Sequence, residues 1–216
     1  MPKKNIALIG GRGSGKTTLS KLLVSKLGRR LYGMDDLVVY EACGQSIPDL
    51  VRDMGWHHFR DLEMLVTAKL GNFQGIVIDC GGGVICDQDE RNVQSYSDRK
   101  VSALKENSIV VWLDCSVATQ SDRIGEDSNR IPLTRRKSAR EEMEEVMKLR
   151  RPWYRKAADY IINTEVNAPE EAAEKIVAIL EQEEKDQPTK NTLETVATGG
   201  ATSASTRAIN PATTAG

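Results

Sequence analysis

The segment Gly10-Gly-Arg-Gly-Ser-Gly15-Lys16-Thr17 constrains this chain more than any other. It fits G-x-x-x-x-G-K-[ST] without a mismatch. An apolar run at residues 5–9 precedes it, and a segment at 17–27 follows, with Leu19, Leu22, Leu23 and Leu27 on one helical stripe. A strand, a glycine loop and a helix in that order give the pattern a physical meaning. Glycines let the loop curl until successive backbone N–H groups face one anion, and the helix behind adds the positive end of its dipole. The spacing does not fit G-x-G-x-x-G, so a dinucleotide crevice is disfavoured.

The candidate nucleotide contacts are therefore Gly11, Arg12, Gly13, Ser14, Gly15, Lys16, Thr17 and Thr18. Lys16 is the residue to reach the β- and γ-phosphates. Thr17 is the residue to hold Mg²⁺ through its hydroxyl, with ATP as the phosphoryl donor.

Up to about residue 185 the chain alternates short apolar runs with amphipathic segments. Strands are expected at 5–9, 76–79, 109–113 and 160–162, with a weaker one at 31–34. Helices are expected at 17–27, 36–43, 55–69, 116–124, 138–156 and 169–184. Buried strands between helices predict an α/β fold, a parallel sheet of about five strands covered on both faces. Residues 1–185 form one domain on this reading. Residues 189–216 are mostly Thr, Ala, Ser and Gly, with no aromatic, and cannot bury enough apolar surface to offset their ordering entropy. Residues 186–216 are expected to be a disordered tail.

Composition excludes several classes. Thirty Lys and Arg face 31 Asp and Glu, a net charge of −1, which predicts no generic binding to nucleic acid or to an anionic membrane. No apolar run approaches the roughly 18 residues that span a bilayer. The opening Met-Pro-Lys-Lys leads into a run too short and too quickly polar for a signal peptide. Cys43, Cys80, Cys86 and Cys115 form no CxxC pair, so free thiols in a reducing cytoplasm are expected. His57 and His58 are adjacent and cannot share a helix face, which disfavours a metal role.

The other signals concern the acceptor. Asp36 follows the weak second strand. Arg60 lies in Phe59-Arg60-Asp61-Leu62-Glu63 on a helix. Gly81, Gly82 and Gly83 follow a strand that ends at Asp79, and three glycines there let a ligand approach the backbone closely. Arg130 lies in an arginine-rich stretch between two helices, and Arg150 late in the second of them.

This set, in this order and spacing, resembles shikimate kinase, from about Ile6 to Leu180. Gly55 to Arg60 and Arg150 to Tyr154 look closest to the kinase domain of the fungal multifunctional pathway protein. The resemblance implies a P-loop kinase three-layer sandwich with an arginine-rich lid. It implies that Asp36 binds the acceptor hydroxyls and orients the attacking one. It implies that Arg60 and Arg150 clamp a carboxylate, for which a planar guanidinium fork is the natural partner. Gly81, Gly82 and Gly83 would line the acceptor, Arg130 would close on the transferring phosphoryl group, and Arg123 would stack on adenine, with residues 163–169 on the other side. Lys16, Asp36 and Arg130 are thus the expected catalytic residues. The expected partners are ATP and a small carboxylate, shikimate first, in a cytoplasmic monomer with neither nucleic acid nor membrane.

Three departures from the family pattern stand out. The family carries Asp-x-Asp after the second strand, and here the first position is Met34, with Asp35 shifted by one. The residue two before the triple glycine is usually small or hydroxylated and here is Asp79, where many P-loop proteins carry a Walker-B acid. Asp79 is a candidate to support the Mg²⁺ shell in place of position 34, or else to cap a turn. Ile131 is inserted in the lid motif between Arg130 and Pro132. Arg130 also has Arg135, Arg136 and Arg140 nearby, so a solvated basic stretch is its alternative. Three functions stay open on the sequence: phosphorylation of shikimate, phosphorylation of another small acceptor such as gluconate or a nucleoside monophosphate, and a nucleotide-binding relative without catalysis.

Overall fold

A computed structural model describes residues 3–124 and 138–198. Strand β1 (Asn5–Ile9) is central in a five-stranded sheet with β2 (Arg30–Gly33), β3 (Ile76–Asp79), β6 (Ser108–Asp114) and β7 (Tyr160–Asn163), in the order β2-β3-β1-β6-β7. Every pairing is parallel: Leu8 lies opposite Asp79 on one side and Val111 on the other.

The strands alternate side chains to two cores, as the period of two requires. Ala7, Ile9, Ile76, Ile78, Val110 and Trp112 enter one core. It is covered by helices α2 (Met34–Glu41), α3 (Ile47–Gly71), α4 (Asp98–Asn107) and α6 (Ala139–Ala157). Ile6, Leu8, Val77, Ile109, Val111 and Leu113 enter the other, under α1 (Lys16–Leu27) and α7 (Pro169–Thr198). The result is the three-layer sandwich with a parallel five-stranded sheet expected from the sequence. Because β1 has β3 on one side and β6 on the other, the loop after β1 opens at the topological switch point, where such sheets take ligands.

Four features differ from the sequence reading. Met34 does not end the second strand. It starts α2 and is wholly buried. Residues 47–71 form one helix broken at Gly55, whose φ of 81° and ψ of 167° are non-helical, rather than a single helix from 55. A two-stranded hairpin, β4 (Cys86–Gln88) with β5 (Gln94–Tyr96), and helix α4 follow β3. The hairpin strands are three residues each and polar, and α4 places Lys100 at a core position, so neither carries a clean hydrophobic period. Helix α7 continues to Thr198, into the segment read as a tail. Glu, Gln and Lys in 181–187 are good helix formers that extend an existing helix without a new nucleus, whereas Pro188 and the threonines beyond it contribute no such propensity. Among its described side chains the buried ones are Ala172, Ala173, Ile176 and Leu180. Among the described residues no helix is long and apolar enough to cross a membrane.

Candidate active site

The loop after β1 turns into α1 through glycines that no other residue replaces easily. Gly13 and Gly15 have φ of 74° and 94°, and a Cβ on Gly13 would stand 2.5 Å from the Gln120 carbonyl. Lys16 Nζ donates to the carbonyls of Gly10 and Gly11, both at 3.0 Å. Burial pushes the Lys16 ammonium below its ordinary pKa, and Asp79, the Cys80 thiolate form and Asp35 oppose that fall. Thr17 Oγ1 donates to Asp79 Oδ2 at 2.8 Å, so the P-loop hydroxyl and the last residue of β3 meet across the sheet edge. One hydroxyl and one carboxylate are hard oxygen donors suited to Mg²⁺, which keeps several waters and takes phosphate oxygens. The described residues contain no group of three or more His, Cys, Asp or Glu that would hold a metal unaided.

Beside the loop, Arg123 ties the end of α5 (Val117–Ile124) to the turn after β7. Its Nη1 donates to Thr164 Oγ1 at 3.1 Å and its Nη2 to the Thr164 carbonyl at 2.6 Å. Thr164 in turn donates to the Ser14 carbonyl. Arg123, the P-loop and the 163–169 turn therefore form one wall, as the resemblance implies for an adenine site.

The same cleft, about 980 Å³, is lined further on by Asp35, Asp36, Arg60, Glu63, Asp79, Gly81, Gly82, Gly83 and Arg150. Arg60 is buried against Trp56 and Phe59, with its guanidinium 5.3 and 4.9 Å from their ring centres. Its Nη1 donates to Glu63 Oε2 at 2.9 Å. A Cβ on Gly83 would lie 2.3 Å from Arg60 Nη1, so only glycine lets that guanidinium pass. Lys100, wholly buried, also donates to Glu63 Oε2 at 2.7 Å and to the Cys86 carbonyl at 2.6 Å. Burial alone would raise the Glu63 carboxyl, but the two cations outweigh it and hold it below the usual carboxylate range. Arg60 and Lys100 thus share the Glu63 carboxylate, and Lys100 also lies 3.5 Å from Asp87 Oδ1.

Arg150 approaches from α6. Its Nε donates to Gln94 Oε1 at 2.9 Å and its Nη1 to the Gly82 carbonyl at 3.0 Å. The Tyr154 hydroxyl donates to that same carbonyl, and burial pushes the Tyr154 pKa up to about 12. Among the described residues, nothing accepts from the buried Arg60 Nε and Arg150 Nη2. Such groups cost free energy when nothing accepts from them, and two on neighbouring arginines mark a place for an anion.

The two aspartates at the start of α2 differ. The Asp36 carboxylate folds back over its own turn, where a Cβ on Gly33 would meet it at 2.8 Å. The Asp35 carboxylate, on an exposed residue, reaches across the open cleft towards Gly81, where a Cβ would meet Asp35 Oδ1 at 2.8 Å and Glu63 Oε1 at 3.0 Å. Desolvation, then the charges of Glu63 and Asp79, push the Asp35 carboxyl above its ordinary range, while Lys16 and Arg60 pull it down. The one-residue shift noted in the sequence therefore does not remove an aspartate from the site. It brings Asp35 in, because Met34 takes the core-facing position.

The cleft lining includes the described candidates except Ser14, a buried residue of the P-loop, and the 163–169 turn, which Arg123 ties to its wall. Arg130 and its insertion neighbour Ile131 lie outside the described residues. The sequence reading gave no role to Glu63, Lys100, Gln94 or Tyr154. Glu63 was detectable as the i+3 partner of Arg60 on one helix face. Lys100 and Gln94 had no local signal, since their partners are 37 and 56 residues away.

Comparison with known proteins agrees with this geometry. The family model described as shikimate kinase matches residues 12–181. The shikimate kinase of Leptospira biflexa serovar Patoc is 36% identical over 173 residues, which are 80% of this chain and 93% of that protein. That of Leptospira borgpetersenii is 35% identical over 181 residues, 83% of this chain and 99% of that protein. Among solved structures, shikimate kinase from Acinetobacter baumannii in complex with shikimate superposes with a TM-score of 0.72 at 30% identity, covering 84% of this chain and 94% of that one. A family model over most of the chain, relatives more than a third identical along nearly their whole length, and a shared fold agree, and this chain belongs to the shikimate kinase family.

Proposed function

We propose that the chain transfers the γ-phosphoryl group of ATP to the 3-hydroxyl of shikimate, giving shikimate 3-phosphate and ADP, a step of aromatic amino-acid (chorismate) biosynthesis. The observation that carries this reading is the pair of cleft arginines, Arg60 and Arg150, each with a buried N–H that no described protein group accepts. They are packed on the glycines after β3 and suit a carboxylate better than a neutral sugar.

The P-loop backbone, Lys16 and the N-terminus of α1 bind the β- and γ-phosphates, and Arg123 with the 163–169 turn flanks the adenine. Mg²⁺ would be held by Thr17, with Asp79 accepting from the same hydroxyl, and when bound it neutralises phosphate charge. Arg60 and Arg150 fix the acceptor by its carboxylate, so that its hydroxyls meet α2. The acceptor oxygen forms the new bond to γ-phosphorus as the bond to the bridging oxygen breaks, and its proton passes to an aspartate carboxylate. The family resemblance assigns that contact to Asp36. The reach of Asp35 across the cleft, with its raised pKa, supports a direct share for Asp35 as the proton acceptor. Most of the rate gain comes from alignment and charge stabilisation, with Arg130 as the lid cation. Four free thiols support a cytoplasmic location.

A coupled assay of ADP release tests this with shikimate, quinate, gluconate and nucleoside monophosphates as acceptors. Shikimate should give turnover far above the others. Faster turnover with gluconate or a nucleoside monophosphate would overturn the acceptor assignment, and none with any would overturn the kinase reading.

A further inference from the structure

Gln94 lies on β5, outside the lining of the cleft, yet it touches one of the two arginines in it. Its place is fixed by the hairpin. Gln94 pairs with Gln88 across β4 and β5, and the turn between them is held by Asp89, whose Oδ1 accepts from the backbone N–H groups of Arg91 and Val93 at 2.9 and 2.8 Å. The Cys86 thiol points at the same amide oxygen, 3.8 Å away.

The Arg150 guanidinium is planar, with three nitrogens in a rigid fork. Two are committed to different protein groups, Nε to Gln94 and Nη1 to the Gly82 carbonyl. Two bonds from separate nitrogens fix the plane and leave Nη2, buried and without an acceptor among the described residues, with one direction to face. Without Gln94 the group would turn about its single bond to Gly82.

The chemistry of the partner matters as much as its position. Both protein acceptors on Arg150 are neutral, an amide and a peptide carbonyl. Arg60 differs: its acceptor is the Glu63 carboxylate, and Lys100 supplies a second cation to the same oxygen. Arg150 therefore keeps its charge for a ligand through neutral partners, whereas Arg60 is already paired with a carboxylate. An acid in place of Gln94 would neutralise Arg150 and repel an incoming carboxylate.

We propose that Gln94 is a positioning residue for the acceptor carboxylate: it orients Arg150 and, being uncharged, leaves that guanidinium its full positive charge. This rests on the reading that Arg150 holds the carboxylate.

Four variants of the full chain test it: Gln94→Glu, Gln94→Met, Arg150→Ala, and Gln94→Met combined with Arg150→Ala. KM for shikimate and for ATP, kcat and melting temperature are measured for each. Arg150→Ala should raise the shikimate KM by about 30-fold or more, as loss of a buried charge partner does. Gln94→Glu should raise it about tenfold, and Gln94→Met, which keeps shape but cannot accept, about three- to tenfold. The ATP KM should stay within about twofold, and the melting temperature within about 3 °C. On the Arg150→Ala background, Gln94→Met should add nothing, because the two act through one contact. Shikimate KM unchanged in both single Gln94 variants, with Arg150→Ala raising it, would overturn the role of Gln94 while the carboxylate clamp stands. Both KM values rising together with a fall in melting temperature would make Gln94 structural. An unchanged shikimate KM in Arg150→Ala would instead overturn the clamp, and the inference with it.

Discussion

Thr17 and Asp79, 62 residues apart, are joined by a 2.8 Å hydrogen bond from the threonine hydroxyl to the aspartate carboxylate. The bond links the first turn of α1 to the end of β3, at the point where a P-loop protein holds its cation. Asp79 is thus engaged with the P-loop rather than capping a turn through backbone N–H groups. Asp79→Ala should raise the Mg²⁺ concentration needed for half-maximal activity several-fold, since a carboxylate fixes the waters and hydroxyl around such an ion. A Mg²⁺ titration of initial rate measures this, and unchanged Mg²⁺ dependence would make Asp79 structural.

Restoring the family's acid at position 34 should not rescue that variant. Met34 is wholly buried in the core above the sheet. Met34→Asp would bury an unpaired carboxyl and should destabilise by about 3 kcal/mol or more. Denaturant midpoints measure the loss, and a Met34→Asp protein as stable as its parent would mean that position 34 can turn into the cleft.

Asp35 and Asp36 should separate kinetically. Asp35→Asn should lower kcat by about 10²-fold or more, the usual worth of a positioned base, while Asp36→Asn should cost less. The raised Asp35 pKa also fixes a sign. A base works as its carboxylate, so kcat should fall as pH drops through a value above the ordinary range for aspartate. The reverse ranking of the two variants would return the role to Asp36.

Lys100 should matter for stability through Glu63. Lys100→Met leaves the buried Glu63 carboxylate with Arg60 alone and should destabilise by about 3–5 kcal/mol, the range for breaking a buried ion pair. Adding Glu63→Gln should recover part of this, because the uncompensated charge is then gone. Thermal melts of the single and double variants test the coupling, and additive losses would deny it.

Deleting residues 189–216 should leave activity and melting temperature nearly unchanged. The buried side chains described on α7, Ala172 to Leu180, and the pairs from Tyr160 to Glu183 and from Arg29 to Glu184 all lie inside the retained chain. A fall of many degrees would show that the deleted residues pack.

The sequence determined the sheet, the phosphate loop and the list of arginines. Five-residue apolar runs, leucines at helical spacing and G-x-x-x-x-G-K-T are local patterns, and local patterns fix strands, helices and a glycine turn without help from distant residues. Tertiary structure alone decided the charges behind the site. Whether Asp35 or Asp36 reaches across the cleft depends on which neighbour fills the core, and Met34 does so. Whether Asp79 caps a turn or meets Thr17 depends on β3 lying beside β1. The charge left on Arg60 and Arg150 depends on Lys100 and Gln94, which reach them from a hairpin and a helix whose own sequence carries no period. Hydrogen bonds and ion pairs act over a few ångströms of space, and chain separations of 37 to 72 residues hide them from any pattern read along the chain.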